Sequence, residues 1–414
     1  MDVILVAGTP GDLHGLVRPV AERVATVMSV ADAWVFIPPS SHAGGREAKV
    51  ASSYLGVRRA VGPLESLKYL AAGVAPRGFA RCGKGVVIHL GGDLIYSIGL
   101  GRRLRYPVFA YTGRAMSGAK SVSLFLVEDE RVQASLIARG VDAERIKLVG
   151  NLIVDGVGVR PGREEARVRL GIEQHGRSVM LFPGLSRREV SVTAPFLFRA
   201  AELLARVEQE VSFTMCLPPF VGTASLEQLF AHTRYAARID GAAARVEKSA
   251  GPLEAVTAEG VRIRIETVLM YEAMAASDIA VCTPGPVCAE LAYLGVPHVV
   301  TAPLNVPGAV AVPGVSPLLC SLPFIGEAFQ RRAVDRLKAS SRFVSSVNQR
   351  AGRIIAPEIV GRVRPEDVVI PCVELLGEAA RRDKMSKELR EAVGLAGAAD
   401  RVVQAIQRVA LSQQ

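Results

Sequence analysis

Short apolar runs rich in β-branched residues alternate along this chain with longer stretches whose apolar positions recur at helical spacing. In the first half the runs are Val3 to Val6, Ala33 to Ile37, Val86 to Leu90, Pro107 to Tyr111, Ser123 to Val127 and Ile146 to Val149. Several are apolar throughout rather than at every second position, as strands covered on both faces are. This order therefore predicts a parallel sheet flanked by helices. A polar, glycine-bearing stretch from Asp155 to Arg169 reads as a linker entering a short helix. The alternation restarts with Ser178 to Phe182, Val211 to Leu217, Val261 to Ile265, Ile279 to Cys282 and His298 to Thr301. From Pro365 the spacing is helical, closing on Gly397 to Leu411, and these last helices are candidates to pack back on the first domain. The implied architecture is two doubly wound, Rossmann-like α/β domains facing a cleft, with domains at 1–160 and 161–380 and C-terminal helices at 381–414. A length of 414 residues, more than one ordinary core, agrees with this.

Composition narrows the class of protein. Hydrophobic residues make up 50% and charged residues 22%, the balance of a globular chain. The net charge is +10, and residues 1–155 carry 19 Lys and Arg against 13 Asp and Glu. Such an excess attracts phosphates, nucleic acid or an anionic membrane surface. With aromatics at only 5% and no basic-aromatic interleaving, nucleic acid is not an expected partner. The cysteines (Cys82, Cys216, Cys282, Cys288, Cys320, Cys372) form no C-x-x-C pair and have no histidine at ligand spacing. Buried reduced thiols and no metal site are expected. Asp12, His14 and Arg18 interrupt the apolar N-terminus, so no signal peptide is read there and a cytoplasmic location is expected. From Leu291 to Gly326 no Asp, Glu, Lys or Arg occurs, yet six prolines exclude one continuous membrane-spanning helix. The segment is either a buried loop over the second sheet or an apolar surface for acyl chains or bilayer.

Candidate chemistry gathers where strands give way to helices. The first strand runs into a glycine loop, Gly8, Gly11 and Gly15, before a helix expected near Leu16. Glycine permits the tight turn, but no turn requires Asp12 and His14, which stand at the carboxyl end of the strand, where open α/β sheets hold their sites. His89 to Asp93 repeats the pattern after the Val86 strand. Asp93 is either a helix N-cap or a partner of Asp12 and His14 on the same sheet edge. In Leu181 to Val190, Gly184, Ser186, Arg187 and Arg188 open a helix whose free backbone donors and cations suit a phosphate. In Met274 to Glu290, a proline-glycine turn at Gly285 leads into a helix with Glu290 expected in its first turn. There it either favours the helix dipole or accepts ribose hydroxyls. No Asp-x-Asp occurs, so a metal-dependent sugar-nucleotide site of that type is not expected, and arginine with helix N-termini would balance leaving-group charge.

These segments, in this order, resemble the bacterial lipid-A-disaccharide synthase family, inverting glycosyltransferases of the GT-B fold. Gly8 to Gly15 is similar to the family's G-E-A-S-G-D-x-H-G, with Thr9 and Pro10 in place of Glu-Ala and one residue fewer. Lys147 through Asp155 resembles F-V-G-H-P-x-x-D, and Pro183 to Glu189 resembles P-G-S-R-x-x-E. Met274 to Asp278 with Gly285 and Glu290 resembles M-A-A-S-D followed by S-G-T-x-T-x-E. Asn348, Ala351 to Arg353 and Pro357-Glu358 resemble N-x-x-A-G-R-x-x-x-P-E, and Gly397 to Ala399 the start of the final helix. The chain departs from the family at the tryptophan-rich S-P-x-x-W-A-W, replaced near Thr112-Gly113-Arg114. It departs also at Leu185-Ser186 and at Pro284, Pro286 and Cys288, which stand for hydroxyl-bearing residues.

The resemblance implies UDP-2,3-diacylglucosamine as donor, the monosaccharide 1-phosphate lipid X as acceptor, and release of UDP with no cofactor. Asp93 falls where the family's I-D-A-P-D-F-N has its second aspartate, a candidate base for the acceptor hydroxyl, with His14 acting through a water as the alternative. Arg187 and the Gly184 turn would hold the pyrophosphate and Glu290 the ribose. An anionic membrane surface is an implied partner, at the inner face of the cytoplasmic membrane, and a homodimer is among the assemblies allowed. A UDP-sugar epimerase of similar architecture and a UDP-sugar-binding protein without catalysis are the rival readings.

Overall fold

The computed structural model describes residues 1–28, 32–40, 45–112, 119–231, 236–248, 252–268, 270–303 and 343–412. The charge-free segment beyond Pro303, Gly113, Arg114 and Cys320 lie outside these. The chain divides into two compact units, residues 1–158 with 394–414, and residues 159–393.

The first unit holds β1 (Asp2–Val6), β2 (Asp32–Phe36), β3 (Val57–Val61), β4 (Gly85–His89), β5 (Val108–Thr112), β6 (Leu124–Val127) and β7 (Ile146–Leu148). They form one parallel sheet in the order β3-β2-β1-β4-β5-β6-β7. Val3, Ile4, Leu5 and Val86 to Ile88 are fully buried, as continuous apolar runs in a doubly covered sheet should be. Phe79 packs edge to face against Trp34, Phe36 and Tyr69, with the Trp34 and Phe79 centroids 4.9 Å apart. Strand order reverses between β1 and β4, and the crevice at such a reversal is where doubly wound sheets bind ligands.

The C-terminal helix Ala398–Ser412 belongs to this unit. Asp155 caps it from outside: its carboxylate accepts from Gly397 N and Ala399 N, each at 2.6 Å. Arg401 Nε donates to Val149 O at 2.6 Å, and Arg23 pairs with Asp400 at 2.5 Å. The segment Lys147 to Asp155 and the start of the final helix thus form one structural lock.

The second unit holds β8 (Arg177–Phe182), β9 (Val211–Cys216), β10 (Ala244–Lys248), β11 (Leu253–Thr257), β12 (Arg262–Glu266), β13 (Ile279–Cys282), β14 (His298–Pro303) and β15 (Glu358–Gly361). Their order is β10-β11-β12-β9-β8-β13-β14-β15. Strands β12 through β15 in that order run parallel, and β10 and β11 add an antiparallel edge. Here the reversal lies between β8 and β13.

Two further motif segments prove structural. Arg167, 1% exposed on the Arg163–Leu170 helix, donates to the carbonyls of Ala276, Glu173, Gln174 and Gly176 and to Asp278 Oδ2 at 2.9 Å. Asp278 also takes Arg163 at 2.7 Å, so the end of Met274 to Asp278 fastens the chain entering this unit to its sheet. The fully buried Asn348 accepts from Ile355 N and Ala356 N and donates to Ala356 O and Glu358 Oε1. This fixes the bend before β15.

Candidate functional site

In the first unit both loops at the strand-order reversal carry the expected residues. After β1 the chain becomes helical at Pro10, six residues earlier than the helix expected near Leu16. Thr9 is the reason. Its Oγ1 accepts from Asp12 N at 3.1 Å, Asp12 Oδ2 accepts from Thr9 N at 3.2 Å, and Pro10 occupies the first helical position. The two residues that depart from the family pattern thus make a self-consistent cap. The helix opens into a π-turn over Leu13–Val17 that holds His14 and Gly15, both buried. Such turns recur at functional sites. Gly11 lies between Pro10 and Asp12, and Gly8 packs beside Gly92.

After β4 the loop Gly91-Gly92-Asp93 meets that turn. A side chain at Gly91 would collide with the Asp12 carboxylate, so this position admits only glycine while Asp12 holds its place. Burial pushes Asp12 up to about 6, against hydrogen bonds from the Thr9 side chain and the Thr9 and Gly8 backbone. Asp93 is exposed and caps the Leu94–Leu104 helix, accepting from Ile95 N at 3.1 Å. His89, at the end of β4, is buried against Ser97 Oγ at 2.9 Å, and burial lowers it to about 4, so it is neutral at physiological pH. The structure thus brings Gly8, Gly11, Asp12, His14, Gly15 and Asp93 to one sheet edge.

The second unit places the other residues at its own reversal. Gly184 follows β8 with φ +115°, and a Cβ there would stand 2.6 Å from Glu189 Cβ. Ser186 caps the Arg187–Val207 helix in a reciprocal box with Glu189. Glu189 Oε2 accepts from Leu185 N at 2.7 Å and Ser186 N at 2.9 Å, and Ser186 Oγ accepts from Glu189 N at 3.2 Å. At this helix start the Ser186 amide is taken by the Glu189 carboxylate and the Glu189 amide by Ser186 Oγ, which narrows the expectation of free backbone donors. What the helix start presents to solvent is Arg187 and Arg188, both exposed.

After β13, Gly285 is exposed with open space where a Cβ would point, and the helix Pro286–Leu294 follows. Glu290 is its fifth residue, not in the first turn as expected, so the helix-dipole role lapses. It is 1% exposed and accepts from Tyr271 Oη at 3.0 Å. No sequence signal marked Tyr271. Cys216, Cys282, Cys288 and Cys372 are buried, but Cys82 is exposed, contrary to expectation. Among the described residues no helix is long and apolar enough to cross a membrane.

No protein-family model matches the chain. Lipid-A-disaccharide synthase of Syntrophus aciditrophicus is 26% identical over 266 residues, covering 63% of this chain and 56% of that protein. The synthase of Prochlorococcus marinus is 28% identical over 63% of this chain and 57% of its own length. The chain therefore spans little more than half the length of these curated relatives. Among solved structures, UDP-GlcNAc 2-epimerase from Neisseria meningitidis, bound to UDP-GlcNAc, superposes with a TM-score of 0.55 at 12% identity. That match covers 99% of this chain and 100% of that one. The likeness establishes the fold: two doubly wound α/β domains of the GT-B class.

Proposed function

We propose that this chain is an inverting, metal-independent glycosyltransferase, similar to lipid-A-disaccharide synthase, that moves an acylated glucosamine from a UDP-sugar to a lipid-linked sugar phosphate. The observation that carries the reading is the pairing of chemistry with topology. A carboxylate pair and an imidazole sit at the reversal of the first sheet, and two exposed arginines at the start of a 21-residue helix sit at that of the second. In this reading Asp93, or His14 through a water, takes the acceptor hydroxyl's proton as the oxygen attacks the anomeric carbon. Arg187 and Arg188 take the charge that develops on the departing UDP. Glu290 accepts the ribose hydroxyls in exchange for the Tyr271 hydroxyl. The names of the curated relatives support the reaction class, and the basic first half suits a phosphate-bearing acceptor at an anionic membrane surface.

Calorimetry with UDP tests the donor half. Each of Arg187→Ala and Arg188→Ala should weaken binding about tenfold or more, the worth of a charge-assisted phosphate contact, while Arg131→Ala in the first unit leaves it unchanged. Unaltered affinity in both variants would move the phosphates elsewhere. A UDP-sugar epimerase is the second reading, because the epimerase from Neisseria meningitidis shares the fold over nearly the whole chain. It would convert a UDP-sugar with no acceptor present.

A further inference from the structure

Cys282, Cys288 and His298 come from three separate elements of the second unit. They are the end of β13, the helix Pro286–Leu294 and the start of β14. Ala280 pairs with His298 across parallel β13 and β14, so Cys282, two residues on, shares the face of the sheet with His298. The helix lays Cys288 against the same place. The two sulfurs lie 3.8 Å apart, and with one imidazole nitrogen all three ligand atoms fall within 4.8 Å of one another. All three residues are fully buried.

We propose that this cluster is a zinc site. Tetrahedral thiolate-bound zinc, with Zn–S about 2.3 Å, holds its sulfurs about 3.8 Å apart, so the cysteines already stand at the required separation. The imidazole is prepared in the way metal-binding histidines are. Its Nδ1 is hydrogen-bonded to Val296 O at 3.0 Å, which as a donor fixes the tautomer with the lone pair on Nε2. That Nε2 has no hydrogen-bond partner although His298 is buried, an arrangement that costs free energy until something occupies it. Two thiolates and a divalent ion sum to zero charge, which suits a buried site, and with three protein ligands the fourth tetrahedral position would fall to a water. A monovalent copper ion would leave one buried negative charge. Each thiolate–zinc bond displaces a proton, so loading releases acid. The site joins β13, β14 and the helix that carries Glu290, and zinc there would pin the turn Thr283 to Gly285. Sequence spacing hid it, because five and nine residues separate the ligands instead of the short gaps of familiar zinc motifs.

The test uses the full chain, reduced and stripped by chelator, with folding followed by circular dichroism. Zinc titrated into it should give one bound ion per chain by native mass spectrometry, with a raised melting temperature. Cobalt in its place should give the thiolate charge-transfer band in the near ultraviolet. Cys282→Ser and Cys288→Ser should abolish that band. His298→Gln should weaken zinc about tenfold or more, and Cys82→Ser should change nothing. A folded, reduced parent chain that takes up neither metal overturns the proposal. So does a cobalt–thiolate band that persists in Cys282→Ser and Cys288→Ser, which would put the metal elsewhere.

Discussion

Asp12 and Asp93, in the loops that follow the paired strands β1 and β4, show how two carboxylates acquire different characters. Asp93 stays in water and spends one oxygen on a helix cap, whereas Asp12 is crowded by the glycine loop and pushed up to about 6. Asp93→Ala should lower turnover about 100-fold or more with UDP affinity intact, at a cost of about 1 kcal/mol in stability from the lost cap. Unchanged turnover would remove Asp93 from the chemistry. For Asp12 the sign follows from linkage. Its folded value of about 6 exceeds the ordinary 3.8, so between these pH values the folded state holds a proton that the unfolded state has lost, and stability falls as pH rises. Asp12→Asn keeps the shape without the charge. It should be about 1 to 2 kcal/mol more stable than the parent at pH 7 and equal to it near pH 3, by urea unfolding. Equal stability at both would show that the carboxyl is not held against its preference. Glycine spacing made Asp12, His14 and Asp93 legible in sequence. Glu189's hold on the Leu185 and Ser186 amides was not, because Glu189 resembles any helix-opening acid until the turn at Gly184 brings its carboxylate back. Asp278 was less legible still, since its buried partner Arg167 lies 111 residues away in sequence.

At the scale of elements, the apolar runs gave the central strands and the edge strand β7, and the strands missed lie toward the other edges. β3 carries Arg58 and Arg59, β10 carries Arg245, Glu247 and Lys248, β11 is interrupted by Glu254, and β15 spans only Glu358–Gly361. An edge strand faces water along one side and carries no continuous apolar run, so its signal fades into that of a loop. The last helix was legible as a helix by its spacing, but its anchorage was not. Asp155 and the Gly397 amide are brought together by the fold across 242 residues. Asp155→Ala should cost about 2 kcal/mol of stability through two lost charge-assisted hydrogen bonds, and Asp155→Asn less, measured by urea unfolding. A variant as stable as the parent would show that the helix holds its place by apolar packing alone.

For the whole molecule, the fold and the roles it assigns stand on different footings. A parallel sheet and a mainly parallel one, each with a strand-order reversal and a glycine turn beside it, follow from apolar runs and turn residues that any chain of this architecture shares. Substrate choice rests on fewer residues, and here Pro284, Pro286 and Cys288 stand where the resembled motif has hydroxyl-bearing residues. The measurement that bears most directly on the account is UDP release from UDP-2,3-diacylglucosamine with and without lipid X, the products read by mass spectrometry. UDP release should require lipid X and be accompanied by a disaccharide product. Conversion of the UDP-sugar without an acceptor, or no turnover from a protein that still binds UDP, would contradict it.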